Sequence, residues 1–152
     1  MKIHELIDLP LIQLNLKAKS KDQVIQELSN ILLENKRISD LKSFIEDVYE
    51  REALGSTGIG FKIAIPHTKS KFVIQPSLVF GRAEKGIEYE SLDGEPTELF
   101  FMIAMPAEGT NSHLRALALL SRNLIHEDFR NQLMEAKTAE NALAILETID
   151  QE

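Results

Sequence analysis

Leu99-Phe100-Phe101-Met102-Ile103-Ala104-Met105 is an apolar run without polar alternation. Read as a strand, it has no side meant for water and must be covered on both faces. Ile63-Ala64-Ile65, ended by Pro66, and Leu78 to Arg82 are further strands beside it. Between the last two, Gly86-Ile87-Glu88-Tyr89 and Leu92-Asp93-Gly94 predict a short hairpin or ribbon closed by an Asp-Gly turn. Glu88 and Glu90 then lie on its outward side. Leu11-Ile12-Gln13-Leu14-Asn15-Leu16 ends in alternation and predicts a first strand. The cover for this block comes from helical patterns on either side. Ser20 caps a helix carrying Val24, Ile25, Leu28 and Leu32, and Ser39 or Asp40 caps a second with Leu41, Phe44, Ile45 and Val48. Arg51 stands near the end of the second helix, before three glycines in the six residues Gly55 to Gly60 open a loop. From Asn111 onward Leu114, Leu117, Leu120 and Leu124 recur at helical spacing, then Phe129 and Leu133. Thr138 opens a last helix with Leu143, Leu146 and Ile149. The expected fold class is α/β: a single domain whose mixed, mostly buried central sheet is flanked by helices.

A chain of 152 residues suits one domain, spanning 1–152, that buries roughly 70% of its unfolded surface. Hydrophobic residues at 43% and charged residues at 27% argue against disorder. Lys and Arg total 17 against 24 for Asp and Glu, a net charge of -7 with no dense basic stripe, so nucleic acid is not an expected partner. With no cysteine there are no disulfides, thiolate metal sites or cysteine nucleophiles. Met1-Lys2-Ile3-His4-Glu5 does not read as a signal peptide. Leu99 to Pro106, the longest apolar run, is far short of the ~20 residues of a membrane helix. A soluble, cytoplasmic, acidic protein is expected.

Common motifs fail in informative ways. Gly81 to Gly86 has P-loop spacing, but Ile87-Glu88 replaces the phosphate-binding Lys and its Ser/Thr. Gly58-Ile59-Gly60 begins a dinucleotide motif that Ile63 ends. The four histidines, His4, His67, His113 and His126, are never three or four apart, so no helical zinc pair exists. No G-x-S-x-G elbow is present. Two segments stand out. Arg51 to Gly60, followed by Ile63-Ala64-Ile65-Pro66-His67, sets a histidine just beyond a strand, where α/β sheets open their ligand crevice. The hydroxyl-bearing, Gly-rich loop before it is of the kind that offers backbone N–H groups to anions. In Gly109-Thr110-Asn111-Ser112-His113-Leu114-Arg115, Asn111 or Ser112 caps a helix and His113 falls in its first turn. That histidine either starts a helix as an ordinary polar residue or meets an anion at the positive end of the dipole.

Ser56-Thr57-Gly58-Ile59-Gly60 through Ile65-Pro66-His67, with His113-Leu114 some 46 positions later, resembles the fructose/mannitol-type (type 2) enzyme IIA of the bacterial sugar phosphotransferase system. Leu92-Asp93-Gly94-Glu95-Pro96 and Phe129-Arg130 are similar to this family too, and the likeness runs nearly the whole length. One departure is Lys62, where family members commonly carry a second Gly. A side chain there costs conformational freedom and adds positive charge beside the site.

The resemblance implies the enzyme IIA type-2 fold and a phosphoryl relay. The histidine-containing phosphocarrier protein donates, His67 accepts, and a cysteine of enzyme IIB receives the group during sugar uptake, fructose being the family default. The membrane is involved only through the IIB/IIC permease. Imidazole suits a relay because the neutral ring is nucleophilic near pH 7 and the N–P bond stays labile. Arg51 is either the guanidinium that pairs with phosphoryl oxygens or a solvated helix-end arginine. His113 is implied as a partner of the phosphoryl group. Ser56 and Thr57 bind phosphate or simply stabilise the loop. No metal or other cofactor is implied, and His4 and His126 read as structural or surface. Ile59, Phe61 and Phe72 are expected to be exposed around His67 as a partner surface. The same residues fit a nitrogen-type regulatory enzyme IIA, in which phosphorylation of His67 controls binding to regulators or transporters. A fold that has lost transfer is disfavoured by Arg51, His67 and His113 occurring together.

Overall fold

The structure, a computed structural model, describes residues 2–108 and 112–151, with the backbone alone for Ser112 and His113. Among the described residues five α-helices surround one six-stranded sheet. The strands are β1 (Ile12–Gln13), β2 (Gly58–Gly60), β3 (Ile63–Ala64), β4 (His67–Ser70), β5 (Ser77–Ile87) and β6 (Thr97–Pro106). The helices are α1 (Lys21–Glu34), α2 (Leu41–Glu52), α3 (Ser112–Leu124), α4 (Glu127–Glu135) and α5 (Ala139–Glu147). The sheet order is β1-β5-β6-β3-β2, with β4 also on β6. It is mixed, as expected: β5 runs antiparallel to β6, whereas β3 and β4 run parallel to it.

β6 behaves as its composition dictates, with every residue from Leu99 to Met105 buried. Its Phe101 stacks on Phe80 of β5 with centroids 5.0 Å apart. α1 packs on β5 and α3 on β6. The caps follow local chemistry. Ser20 Oγ accepts from Gln23 N–H, Asp40 from Ser43 N–H and Thr138 from Asn141 N–H. Of the two candidates for α2, Asp40 is the cap, while Ser39 donates its hydroxyl to Phe72 O. Gly81 belongs to packing: a Cβ there would sit 2.9 Å from Leu16 and 3.0 Å from Leu28.

The first strand is shorter than the expected Leu11 to Leu16. Leu9–Leu11 forms a 3-10 turn, and after Gln13 the chain bends: Asn15 N–H turns to the Gln13 side chain, and the backbone meets β5 again only through Leu16 N–H on Arg82 O. The expected strand Leu78 to Arg82 extends to Ser77–Ile87, so Gly86 and Ile87 belong to β5 rather than to a separate ribbon. The Asp-Gly turn does form, with Gly94 N–H donating to Ser91 O at 3.0 Å. Glu88 and Glu90 face water on either side of Tyr89, which is fully buried.

β2 and β3 are joined by the two residues Phe61 and Lys62, both with positive φ (55° and 64°). Two-residue hairpin turns demand this conformation, and glycine adopts it without steric penalty. Here two side chains are forced into it, held by Asp93 Oδ2 on Phe61 N–H and by Lys62 O accepting from Glu98 and Leu99. Lys62→Gly is therefore expected to raise stability by about 1 kcal/mol. Urea unfolding measures it, and an unchanged or lower midpoint would contradict strain at this turn.

Candidate active site

β3 and β4 line the same edge of β6, β3 against Leu99 and Phe100 and β4 against Ile103 to Pro106. Ile65-Pro66 breaks them apart, since proline has no N–H for the ladder. His67 is the first residue after this break, and α2 packs on its strand. Arg51, in the last turn of α2, thereby meets a histidine sixteen residues away in sequence. Its Nε lies 3.3 Å from His67 Nε2, and its Nη1 donates to Gly55 O at 2.9 Å.

The ring's tautomer follows from its partners. His67 Nδ1 lies 2.7 Å from Ile65 O, which can only accept, so Nδ1 carries the proton. Nε2 keeps its lone pair and accepts from Arg51 Nε–H. Burial holds the imidazole below its usual pKa of 6.5. The Ile65 carbonyl opposes this, the Arg51 guanidinium adds to it, and the Glu52 carboxylate opposes it. The ring is thus neutral and nucleophilic at neutral pH. A histidine with a depressed folded-state pKa contributes stability that is present above 6.5 and lost as pH falls through the lowered value. Wild type should lose more stability than His67→Gln between about pH 7 and about pH 5. Equal losses, measured by urea unfolding at the two pH values, would contradict the depressed pKa.

Ser56 and Thr57 turn inward. Ser56 Oγ donates to Tyr89 O at 3.0 Å and accepts from Gly58 N–H. Thr57 is 2% exposed, and its hydroxyl donates to Glu52. In this structure both hydroxyls bond to the protein itself, Ser56 to the Tyr89 carbonyl and the buried Thr57 to Glu52. His113 lies in the first turn of α3, as its spacing predicts; its side chain, and Gly109 to Asn111, lie outside the described residues. His4 Nδ1 pairs with Asp150 Oδ2 at 2.9 Å, and His126 is an exposed N-cap of α4. Phe61 is 59% exposed and Ile59 37%, whereas Phe72 is half-buried and not among the large exposed hydrophobics expected there. The Lys71 ammonium lies 5.3 Å from its ring centroid.

Sequence reasoning missed Glu52, Lys21 and Tyr89. The Glu52 carboxylate is buried and pairs with Lys21 Nζ at 2.9 Å, and Tyr89 packs beside it. A signal was available: Glu52 is in phase with the buried Phe44 and Val48 on one stripe of α2. Grooves of about 480 Å³ (Leu14 to Lys19 with Arg82 to Ile87) and about 280 Å³ (including Phe61, Glu98 and Arg130) are lined by neither Arg51 nor His67. Among the described residues no helix is long and apolar enough to cross a membrane, and no cluster of three or more His, Asp or Glu could hold a metal ion.

Residues 5–149 match the family described as "Phosphoenolpyruvate-dependent sugar phosphotransferase system, EIIA 2". The chain is 44% identical over 99% of its length to the PTS system fructose-specific EIIABC component of Bacillus subtilis, of which it covers 23%. It thus spans under a quarter of that relative. It is 36% identical to the PTS system fructose-specific EIIA component of Haloferax volcanii, covering 95% of this chain and 94% of that protein. Its fold is similar to the crystal structure of the nitrogen regulatory protein IIA-Ntr from Neisseria meningitidis, with a TM-score of 0.88 and 32% identity. That match covers 95% of this chain and 98% of the other.

Proposed function

The chain belongs to the EIIA 2 family of the phosphoenolpyruvate-dependent sugar phosphotransferase system, whose members carry phosphoryl groups on histidine, and from that premise we propose that it is a fructose-type phosphocarrier using His67. The observation that carries the reading is the orientation of one ring. His67 Nδ1–H is held by Ile65 O at 2.7 Å, which leaves the Nε2 lone pair facing Arg51 at 3.3 Å. Nε2 attacks the phosphorus of the phosphohistidine on the donor carrier protein. The donor's N–P bond breaks, and its electron pair returns to the donor imidazole. In the second transfer a cysteine thiolate of enzyme IIB attacks the same phosphorus, and the pair returns to Nε2. Arg51 Nε–H, freed from the nitrogen as the N–P bond forms, passes to a phosphoryl oxygen, where charge must be met. His113, at the start of α3, is the second donor toward that group. Such relays act on the cytoplasmic side and touch the membrane through the permease alone.

A relay between phosphoproteins needs a surface for protein partners. The exposed Phe61 sits in the β2–β3 turn with the Arg130 guanidinium 5.2 Å above its ring, and Ile59 precedes it on β2, in the segment that leads on to His67. A carrier must release both partners, so the interface belongs to the transient class below ~1,200 Å². Phe61→Glu is expected to slow both transfers about tenfold with an unchanged melting midpoint. Unchanged rates in the folded variant would remove Phe61 from the interface.

Incubation with phosphoenolpyruvate, enzyme I and the histidine phosphocarrier protein should produce an acid-labile, alkali-stable label. A fructose-type enzyme IIB should then discharge it. No label would overturn the reading. The likeness to IIA-Ntr at 32% identity favours a second reading, regulation through phosphorylated His67. A label formed normally but refused by enzyme IIB, with capture of a kinase or potassium-channel regulator, would establish that one instead.

A further inference from the structure

Glu52 presents a carboxylate to the interior, with its side chain 4% exposed. A buried charge is costly unless its oxygens are met by donors. Here four donors converge on it. Oε1 accepts from Lys21 Nζ at 2.9 Å and from Thr57 N–H at 3.2 Å. Oε2 accepts from the hydroxyls of Thr57 and Tyr89, the latter at 3.3 Å. Lys21 is itself fixed, with its ammonium 4.7 Å from the centroid of the Tyr89 ring. Burial and the neighbouring Glu52 push the Tyr89 hydroxyl well above its usual pKa, so it remains a donor. One carboxylate thus joins the first turn of α1, the end of α2, the Gly-rich loop and the segment after β5.

None of these donors touches His67, yet hydrogen bonds continue to it. Thr57 O accepts from Ile65 N–H at 3.0 Å, and Ile65 O accepts from His67 Nδ1–H at 2.7 Å. A parallel branch serves the arginine. Glu52 O accepts from Gly55 N–H at 3.0 Å, and Gly55 O accepts from Arg51 Nη1 at 2.9 Å. The His67 branch therefore leads back through Thr57 to the Glu52 carboxylate, whereas the Arg51 branch ends on the Glu52 backbone carbonyl.

We propose that Glu52 is a positioning residue for phosphoryl transfer: its carboxylate, clamped by Lys21, Thr57 and Tyr89, keeps the proton on His67 Nδ1 and aims Nε2 at the phosphoryl group. This rests on the reading of His67 as the acceptor. The logic matches that of histidine ligands at metal sites, where the partner of one ring nitrogen fixes the tautomer and the reach of the other. Among the described residues the charges felt by His67 are Arg51, which disfavours the imidazolium, and Glu52, which favours it. Loss of the Glu52 charge should then move the His67 titration further down.

Glu52→Gln tests this, together with Glu52→Gln/Lys21→Met, which removes the cation left without its partner, and Thr57→Val, which removes one clamping hydroxyl. Imidazole nitrogen–proton correlation spectra report the tautomer and titration of His67, and initial labelling rates report transfer. Wild type should show the Nδ1–H tautomer. Glu52→Gln should titrate lower and show a mixture of the two ring tautomers, and its labelling rate should fall about tenfold or more with the donor's KM unchanged. Thr57→Val should show the same changes to a lesser degree. Wild-type tautomer, titration and rate in any of these variants that melts cooperatively would overturn the proposal. If the two Glu52 variants fail to fold, Thr57→Val decides by the same criterion. Absence of label on wild type would refute the acceptor reading instead, and the tautomer spectra would still judge Glu52.

Discussion

His67→Gln is expected to abolish phosphoryl labelling while leaving the fold intact. Glutamine can still donate to Ile65 O, which now accepts from Nδ1–H at 2.7 Å. It cannot replace Nε2. The amide nitrogen's lone pair is delocalised into its carbonyl, so no nucleophile faces Arg51 and no labile N–P bond can form. The side chain is half-buried at the head of β4, so stability at pH 7 should change by no more than about 1 kcal/mol. Acid-quenched labelling and thermal melting on one preparation measure both. The other described histidines offer no bypass, His4 being paired with Asp150 and His126 lying exposed at the cap of α4. Label at full stoichiometry in a folded His67→Gln chain would show that the acceptor is another residue.

The sheet's centre was legible because burial on both faces erases alternation, and Leu99 to Met105 carries that mark alone. The helices were legible from side-chain chemistry at their starts, where Ser20, Asp40 and Thr138 each meet an unpaired N–H. What stayed hidden is structure decided by distant groups. β1 stops at Gln13 where its own side chain takes the Asn15 amide and bends the chain, and Glu27 of α1 then holds the amides of Lys17 and Ala18. β2 and β3 have three and two residues, and their turn places Phe61 and Lys62 in a conformation their side chains disfavour. Local preference argued against that hairpin, and the anchors Asp93 and Leu99 overrode it.

The site divides in the same way. His67 was legible from Ile65-Pro66 before it and the glycine loop upstream, since each has a backbone reason to be there. Arg51 was legible as a candidate only, because pairing with His67 depends on α2 packing against β4. The roles of Ser56 and Thr57 were open, since a hydroxyl in a glycine-rich loop serves a ligand or its own loop equally well. Here the Thr57 hydroxyl is turned to Glu52. Glu52 was the recoverable loss: a carboxylate in register with Phe44 and Val48 is an anomaly in a helical stripe, and anomalies of that kind mark buried networks.

Arg51→Lys should cut the transfer rate by about a hundredfold, near 3 kcal/mol, although the charge is kept. The reason lies in the two directions the guanidinium serves at once. Nη1 is tied to Gly55 O at 2.9 Å while Nε points at His67 Nε2 from 3.3 Å, so one rigid plane is both anchored and aimed. Lysine offers one mobile ammonium, which can bond to Gly55 O or face the phosphoryl group but cannot hold both geometries. Arg51→Ala removes charge and geometry together and should slow transfer further. The His67 titration separates the two contributions. The Arg51 charge helps to hold the imidazole pKa down, so it should rise in Arg51→Ala and stay near the wild-type value in Arg51→Lys. A slow Arg51→Lys with a wild-type titration would assign the effect to geometry. Equal transfer rates in wild type and Arg51→Lys would show that a point charge suffices, and the fork of Arg51 would then have no part in the reaction.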